Sequence, residues 1–168
     1  MAQHQQNGHW HALWEDYGPK LLLFARQLTE ARDDAEDIVQ EAFVRYWRAR
    51  ENDPKLTPPL LFTMVRRSAI DQARKIQARQ IREERAECLM QSEAFFESSL
   101  EEKERQEQLE QSLRQLPADQ REVLVLKIWG ELTFDEIGRT LEISPNTAAS
   151  RYRYALQQLR GILTPSLL

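Results

Sequence analysis

Apolar positions recur at three and four residues along nearly the whole 168-residue chain, the spacing of amphipathic helices rather than strands. Trp10 to Tyr17 forms one such stretch and Pro19 to Leu28 another, with Gly18-Pro19 between them as a break. A third helix is expected from Asp33 to about Arg50, capped by Asp33 with Glu36 as its capping-box partner. Its inner stripe is Ala35, Ile38, Val39, Ala42 and Tyr46. Asn52 to Thr57 reads as a loop. Thr57 then caps a fourth helix that opens on Pro58-Pro59 and turns Leu61, Val65, Ala69 and Ile76 inward.

The periodicity fades after Gln80. From Glu83 to Glu110 there are ten glutamates against Arg85, Lys103 and Arg105, and the apolar residues Leu89, Met90, Phe95, Phe96 and Leu100 have no regular spacing. This stretch predicts an acidic linker, partly helical towards its end. Helical patterning returns from about Leu109. Pro117 marks a helix start, with Val123, Leu124, Leu126 and Ile128 as its core. The expected fold is all-α: two small helical domains, residues 1–82 and 109–168, joined by the acidic linker 83–108. Each half is small enough to be only marginally stable alone.

The most informative pattern is Thr133 to Arg160. Thr133 and Glu136 suit a capping box, and Phe134, Ile137, Gly138 and Leu141 form an inward face. Glu142-Ile143 is long enough only for a turn, with Ile143 able to plug the corner and Gly138 placed where two helices would cross closely. Ser144 caps a second helix with Pro145 at its first position, and Ala148, Tyr152, Ala155, Leu159 and Ile162 form its buried stripe. Asn146, Ser150 and Arg153 share an outer face, with Thr147, Arg151 and Tyr154 beside them. That face has arginines and no acid. It fits a helix-turn-helix whose second helix offers donors to a DNA major groove; a helical hairpin with a solvated polar face is the plainer alternative.

Charge changes the picture in one place. The chain as a whole carries a net charge of −4, so nucleic-acid contact must come from local basic faces. The stretch Leu60 to Arg82 holds six basic residues (Arg66, Arg67, Arg74, Lys75, Arg79, Arg82) and one acid, Asp71, a local net charge of +5. That segregation supplies the attraction that binds phosphates. The alternative is a solvated helix in which Asp71 pairs with Arg67 and Lys75 at four-residue spacing. The third helix is different. Outside its inner stripe it carries Glu36, Asp37, Gln40, Glu41, Phe43, Val44 and Trp47. Acids and amides beside aromatics suit a protein partner, while by residue type a large aromatic such as Trp47 is by default core.

Other chemistry is thin. Cys88 is the one cysteine, so an internal disulfide is impossible and a reducing cytoplasm is expected. Its acidic surroundings raise rather than lower a thiol pKa. His4, His9 and His11 lack a nearby cysteine, and neither metal nor cofactor is expected. The start MAQHQQNGHW does not read as a signal peptide, and no apolar run approaches the ~20 residues of a membrane span. Without a Gly-rich phosphate loop, nucleophile elbow or ligand cluster, the chain does not read as an enzyme.

Two stretches resemble a known family. DDAEDIVQEAFVRYWRAR, Asp33 to Arg50, resembles region 2 of bacterial sigma factors of the extracytoplasmic-function (ECF) type. LPADQREVLVLKIWGELTFDEIGRTLEISPNTAASRYRYALQQLR, Leu116 to Arg160, resembles their region 4. The resemblance implies a transcription initiation factor that binds core RNA polymerase, selects promoters and helps open them, with an anti-sigma factor as a further partner. By position, Glu36, Asp37, Gln40, Glu41, Phe43 and Trp47 match the surface that docks on the polymerase β′ clamp. Arg66, Arg67, Asp71, Arg74 and Lys75 match the helix at the −10 element, where held single strand offsets the few kcal/mol of base extrusion. Asn146, Thr147, Ser150, Arg151, Arg153 and Tyr154 match the −35 recognition helix, and Lys127 a phosphate-contacting position. The acidic linker resembles the segment that threads the RNA-exit path of the polymerase, implying contact with the β subunit as well. The chain departs from the family at Leu60, usually Trp; at Arg67, usually Asn; at Ala149, often basic; and at Tyr154-Ala155-Leu156, often Arg-Ala-Arg. The loop Asn52 to Thr57, which borders the base pocket in the family, is short. A helix-turn-helix regulator that binds operators without polymerase is the alternative.

Overall fold

The computed structural model describes residues 2–80 and 100–163, with side chains over 10–78, 105 and 107–162. All its regular structure is helical among those residues: α1 Ala2–Leu28, α2 Arg32–Asn52, α3 Leu60–Gln80, α4 Leu100–Arg114, α5 Ala118–Ile128, α6 Phe134–Leu141 and α7 Pro145–Leu163. Most of the expected acidic linker, with Cys88, lies outside the described residues, as do Arg82 and the side chains of His4, His9 and Arg79.

In the N-terminal half, α1, α2 and α3 pack on one another. The expected break at Gly18-Pro19 does not occur; Pro19 sits inside α1. An internal proline costs about 3 kcal/mol. Against that, Leu21, Leu22, Leu23, Phe24 and Ala25 are buried, and each large apolar side chain contributes about 1.5–3 kcal/mol. Exposed Pro19 and Glu15 leave the orphaned Glu15 carbonyl open to water, while buried Gly18 packs under the Trp14 indole. Tertiary burial therefore overrides the local signal.

The capping box predicted for α2 is absent. The N-cap is Ala31, without a side-chain bond, and Asp33 and Asp34 lie in the first turn, where they complement the positive helix end. Glu36 instead accepts from Arg32 Nε at 3.3 Å. The inner stripe is as predicted: Ala35, Ile38, Val39, Ala42 and Tyr46 are all buried, and Phe43 joins them. α3 begins at Leu60, two residues after the expected opening on Pro58-Pro59. The carbonyls of Thr57, Pro58 and Pro59 accept from Leu60, Leu61 and Phe62 in a tight lead-in turn. Leu61, Val65 and Ala69 point inward, but Ile76 is exposed. Past Ala69 the inner face of α3 only borders a groove shared with Leu28, Thr29, Ala31 and Asp34.

In the C-terminal half, α4 runs through the expected domain start at Leu109. Val123, Leu124 and Leu126 of α5 are buried, as predicted, whereas Ile128 at its end is exposed. The adjacent Trp129 packs on the core instead. The Thr133–Glu136 capping box is complete, and the Ser144 hydroxyl accepts the Thr147 N–H at 3.0 Å. Between the two helices Glu142 takes a left-handed conformation, φ 60°. A Cβ on Gly138 would stand 2.7 Å from the Ile143 carbonyl oxygen, so the turn crosses at a residue that must lack one.

The two halves touch. α1 packs on α5, and α3 on α6. Arg26 Nη1 donates to Glu110 Oε1 at 2.6 Å, Arg66 Nε to Glu122 Oε2 at 3.0 Å, and the Thr63 and Thr140 hydroxyls lie 3.0 Å apart. The last carbonyls of α1, orphaned by helix geometry, are met from across the junction. Arg114 donates to the Arg26 carbonyl at 3.4 Å and Arg121 to that of Gln27 at 3.3 Å.

Candidate nucleic-acid interface

On α3, Arg67, Asp71, Arg74 and Lys75 are exposed along one side. Asp71 reaches Arg74 at 3.9 Å rather than Arg67 or Lys75, so the four-residue pairing that would have made this a self-neutralised face is not formed. Such an exposed, long pair contributes little and leaves the face positive. Arg66 is different. It is half-buried and committed to Glu122.

On α7, Asn146, Arg153 and Tyr154 project outward, with Tyr154 58% exposed. Arg153 makes no ion pair among the described residues. Thr147 and Ser150 are half-buried. Their hydroxyls serve the helix itself, Thr147 with Ser144 at 2.8 Å and Ser150 donating to the Thr147 carbonyl at 3.0 Å. Arg151 Nε lies 3.1 Å from Asp119 Oδ2. Lys127 is turned to structure: its ammonium donates to the Leu132 carbonyl at 3.0 Å and lies 4.9 Å over the Phe134 ring. The two helices of the motif are locked by Ala148 and Ala155, both fully buried, and by an edge-on contact of Phe134 with Tyr152.

The α2 surface divides. Asp37, Gln40 and Glu41 are exposed, Glu41 paired with Arg45 at 2.6 Å. Glu36 and Phe43 are buried. Phe43 meets Trp10 edge-on at 5.1 Å and Trp14 at 4.6 Å, and half-buried Trp47 meets Trp10 at 5.2 Å. Sequence reasoning missed Trp10, although Trp10, Trp14 and Tyr17 lie at helical spacing. It also missed Asp119 and Glu122, acids paired with DNA-candidate arginines, for which no periodic signal exists.

Residues 13–80 match Sigma-70 region 2, and residues 106–159 match Sigma-70, region 4. The ECF RNA polymerase sigma factor SigK of Mycobacterium ulcerans is 35% identical over 150 residues, covering 86% of this chain and 79% of SigK. The chain belongs to the ECF RNA polymerase sigma factor family. It is an alternative sigma factor, a subunit that directs core RNA polymerase to promoter DNA. SigE of Mycolicibacterium smegmatis is 29% identical over 92% of this chain and 61% of its own. The sigma factor's fold is also similar to that of solved structures. One is RpoE in complex with the anti-sigma factor NepR from Bartonella quintana (TM-score 0.61, 24% identity, 86% of this chain and 90% of that one). Another is CnrH in complex with the cytosolic domain of CnrY (TM-score 0.62, 22% identity, 92% and 86%). No helix among the described residues is long and apolar enough to cross a membrane, and no group of residues there is arranged to hold a metal.

Proposed function

We propose that this sigma factor reads promoters with two separate helices and holds polymerase with a third. α3 meets the −10 element through Arg66, Arg67, Arg74 and Lys75, with Asp71 spacing the cations. α7 enters the major groove at the −35 element, Asn146, Arg153 and Tyr154 facing bases and Arg151 with Thr147 and Ser150 at its flank. Lys127 offers its remaining protons to a phosphate. Asp37, Gln40 and Glu41 dock on the β′ clamp beside Trp47, while Glu36 and Phe43 shape that surface from beneath. Residues 1–82 then act as the polymerase and −10 domain and 109–168 as the −35 domain, linked by 83–108. The protein works by binding in the cytoplasm and not as an enzyme, and an anti-sigma factor restrains it.

The observation that carries this reading is the pair of exposed cationic faces, α3 and α7, on halves that match region 2 and region 4 respectively. The acid-and-amide face of α2 favours it over a regulator that acts without polymerase, because that face repels DNA. Run-off transcription with purified core polymerase on a promoter library tests it. Initiation from a defined promoter subset is expected; silence on every template refutes it.

A further inference from the structure

The outward side of α7 carries two kinds of surface. Asn146 and Arg153 are both exposed and stand two helical turns apart, so they form one row, an amide and a guanidinium that donate hydrogen bonds. Beside it Thr147, Ser150 and Tyr154 follow at spacings of three and four and form a second row. The hydroxyls of Thr147 and Ser150 serve the helix itself. The Thr147 and Ser144 hydroxyls lie 2.8 Å apart, and Ser150 spends its proton on the Thr147 carbonyl at 3.0 Å. With these hydroxyls engaged, the row offers mainly carbon: the methyl of Thr147, the methylene of Ser150 and the ring of Tyr154.

Tyr154 dominates that row. It is 58% exposed, more than any other large hydrophobic residue among those described. Tyr152, two positions earlier, turns the other way: half-buried, it packs edge-on against Phe134 at 5.8 Å. The packing of α7 on α6 is thus met by Tyr152, and the outward ring is left for contact with a partner, apolar in body and polar at its tip. The chemistry of the groove names that contact. Base pairs differ in the major groove by their donors and acceptors, and thymine alone adds an apolar group, its 5-methyl. An uncharged row of carbon matches that group and adds no attraction of its own for phosphates. We propose that Tyr154, flanked by Thr147 and Ser150, reads thymine 5-methyl groups in the −35 element and sets a preference for thymine beside the base pairs met by Asn146 and Arg153. The proposal rests on the assignment of α7 to the −35 element.

The test uses holoenzyme assembled from core polymerase and the full chain, on synthetic duplex promoters drawn from the subset it initiates. Each thymine of the −35 element is replaced in turn by deoxyuridine, which keeps base pairing and removes only the methyl group. At one or two neighbouring thymines the replacement is expected to weaken promoter binding by about three- to fivefold, the worth of one buried methyl-sized group, and by the same factor at low and moderate salt. Tyr154→Phe keeps the ring and should keep this loss. Tyr154→Ala should abolish it, binding thymine and deoxyuridine promoters alike. Both changes fall at an exposed position, so thermal unfolding should stay near native. A −35 element without thymine, no loss at any thymine, or a loss that persists in Tyr154→Ala overturns the proposal. If Tyr154→Phe behaves as Tyr154→Ala, the residue acts through its hydroxyl on a phosphate or base edge, which overturns it too. Indifference of the native holoenzyme to every −35 base-pair change, or silence on every promoter, is a different result: it refutes the promoter reading on which the proposal rests.

Discussion

Asp119, in the first turn of α5, holds Arg151 of the recognition helix through a 3.1 Å contact between Oδ2 and Nε. An acid therefore stands at the edge of the surface assigned to the −35 element. The pair is partly exposed, 31% and 49%, so it contributes at most about 1 kcal/mol. Phosphates can outbid it. Removing the carboxylate frees a cation and deletes a repulsion. Asp119→Asn is thus expected to tighten binding to a −35 duplex by up to about fivefold, with little change in melting temperature. Fluorescence anisotropy at low and moderate salt checks this; weaker binding would mean that Asp119 orients Arg151 productively.

Arg153 has no such competitor. It is exposed on the same helix and pairs with no acid among the described residues. A guanidinium free to make a bidentate contact with guanine is worth about 1–3 kcal/mol of discrimination. Arg153→Ala should therefore lose affinity mainly on promoters with one particular base at its position, flattening a base-substitution series there. A uniform loss across the series would assign Arg153 to phosphate instead.

The fold was legible where local rules and burial agree. The helix-turn-helix was read from Thr133, Gly138, Ser144 and Pro145, residues whose roles are set within a few neighbours, and the α2 stripe from its spacing. Errors arose where distant packing overruled local chemistry. Gly18-Pro19 signals a break, but Gly18 packs under Trp14 and the helix runs on, and Asp33 suits a cap but is more useful inside the turn. Ile76 and Ile128 fit an inward stripe but lie towards helix ends and are exposed. The site was legible in type but not in state. A sequence shows that Arg66 and Arg151 are cationic, not that Glu122 and Asp119 already hold them.

On α2 two substitutions should separate surface from core. Asp37 and Gln40 are exposed, so Asp37→Ala and Gln40→Ala should weaken capture of core polymerase while leaving thermal unfolding unchanged. Phe43 is 1% exposed under Trp10 and Trp14. Phe43→Ala should cost about 3–5 kcal/mol, as aromatic truncation in a core does, and any loss of polymerase binding should follow from unfolding. Native-level pull-down by Asp37→Ala and Gln40→Ala would move the clamp contact elsewhere.

Gly138 and Glu142 make the corner of the helix-turn-helix a test of opposite signs. In Gly138→Ala the added methyl group meets a backbone oxygen at 2.7 Å, and that carbonyl belongs to a turn already fixed by Glu142 at φ 60°. Alanine gains about 1 kcal/mol of helix propensity, but crowding of this kind costs about 1–3 kcal/mol. The net should be destabilising. Glu142→Gly acts the other way: a left-handed L-residue costs about 1–2 kcal/mol, of which glycine returns part to the unfolded chain. Urea unfolding should place the first variant below the native protein and the second at or above it.

Tyr46 ties α2 to the loop that precedes α3. Its hydroxyl donates to the Leu56 carbonyl at 3.0 Å from a fully buried ring. Burial, only partly opposed by Arg50, holds its phenol above the usual tyrosine value of 10.0. A pKa raised on folding means that the unfolded chain releases the proton first. Tyr46 therefore stabilises the fold fully below about pH 10, the unfolded value, and that contribution disappears as pH climbs through the higher folded value. Tyr46→Phe should cost about 1 kcal/mol at neutral pH for the lost hydrogen bond. It should also make the alkaline fall in stability shallower, leaving the part due to Tyr17, whose phenol is likewise raised. Thermal melts at pH 8 and at pH 10.5 measure both effects; an unchanged gap between native and variant at the two values would show that the Tyr46 proton is not linked to folding.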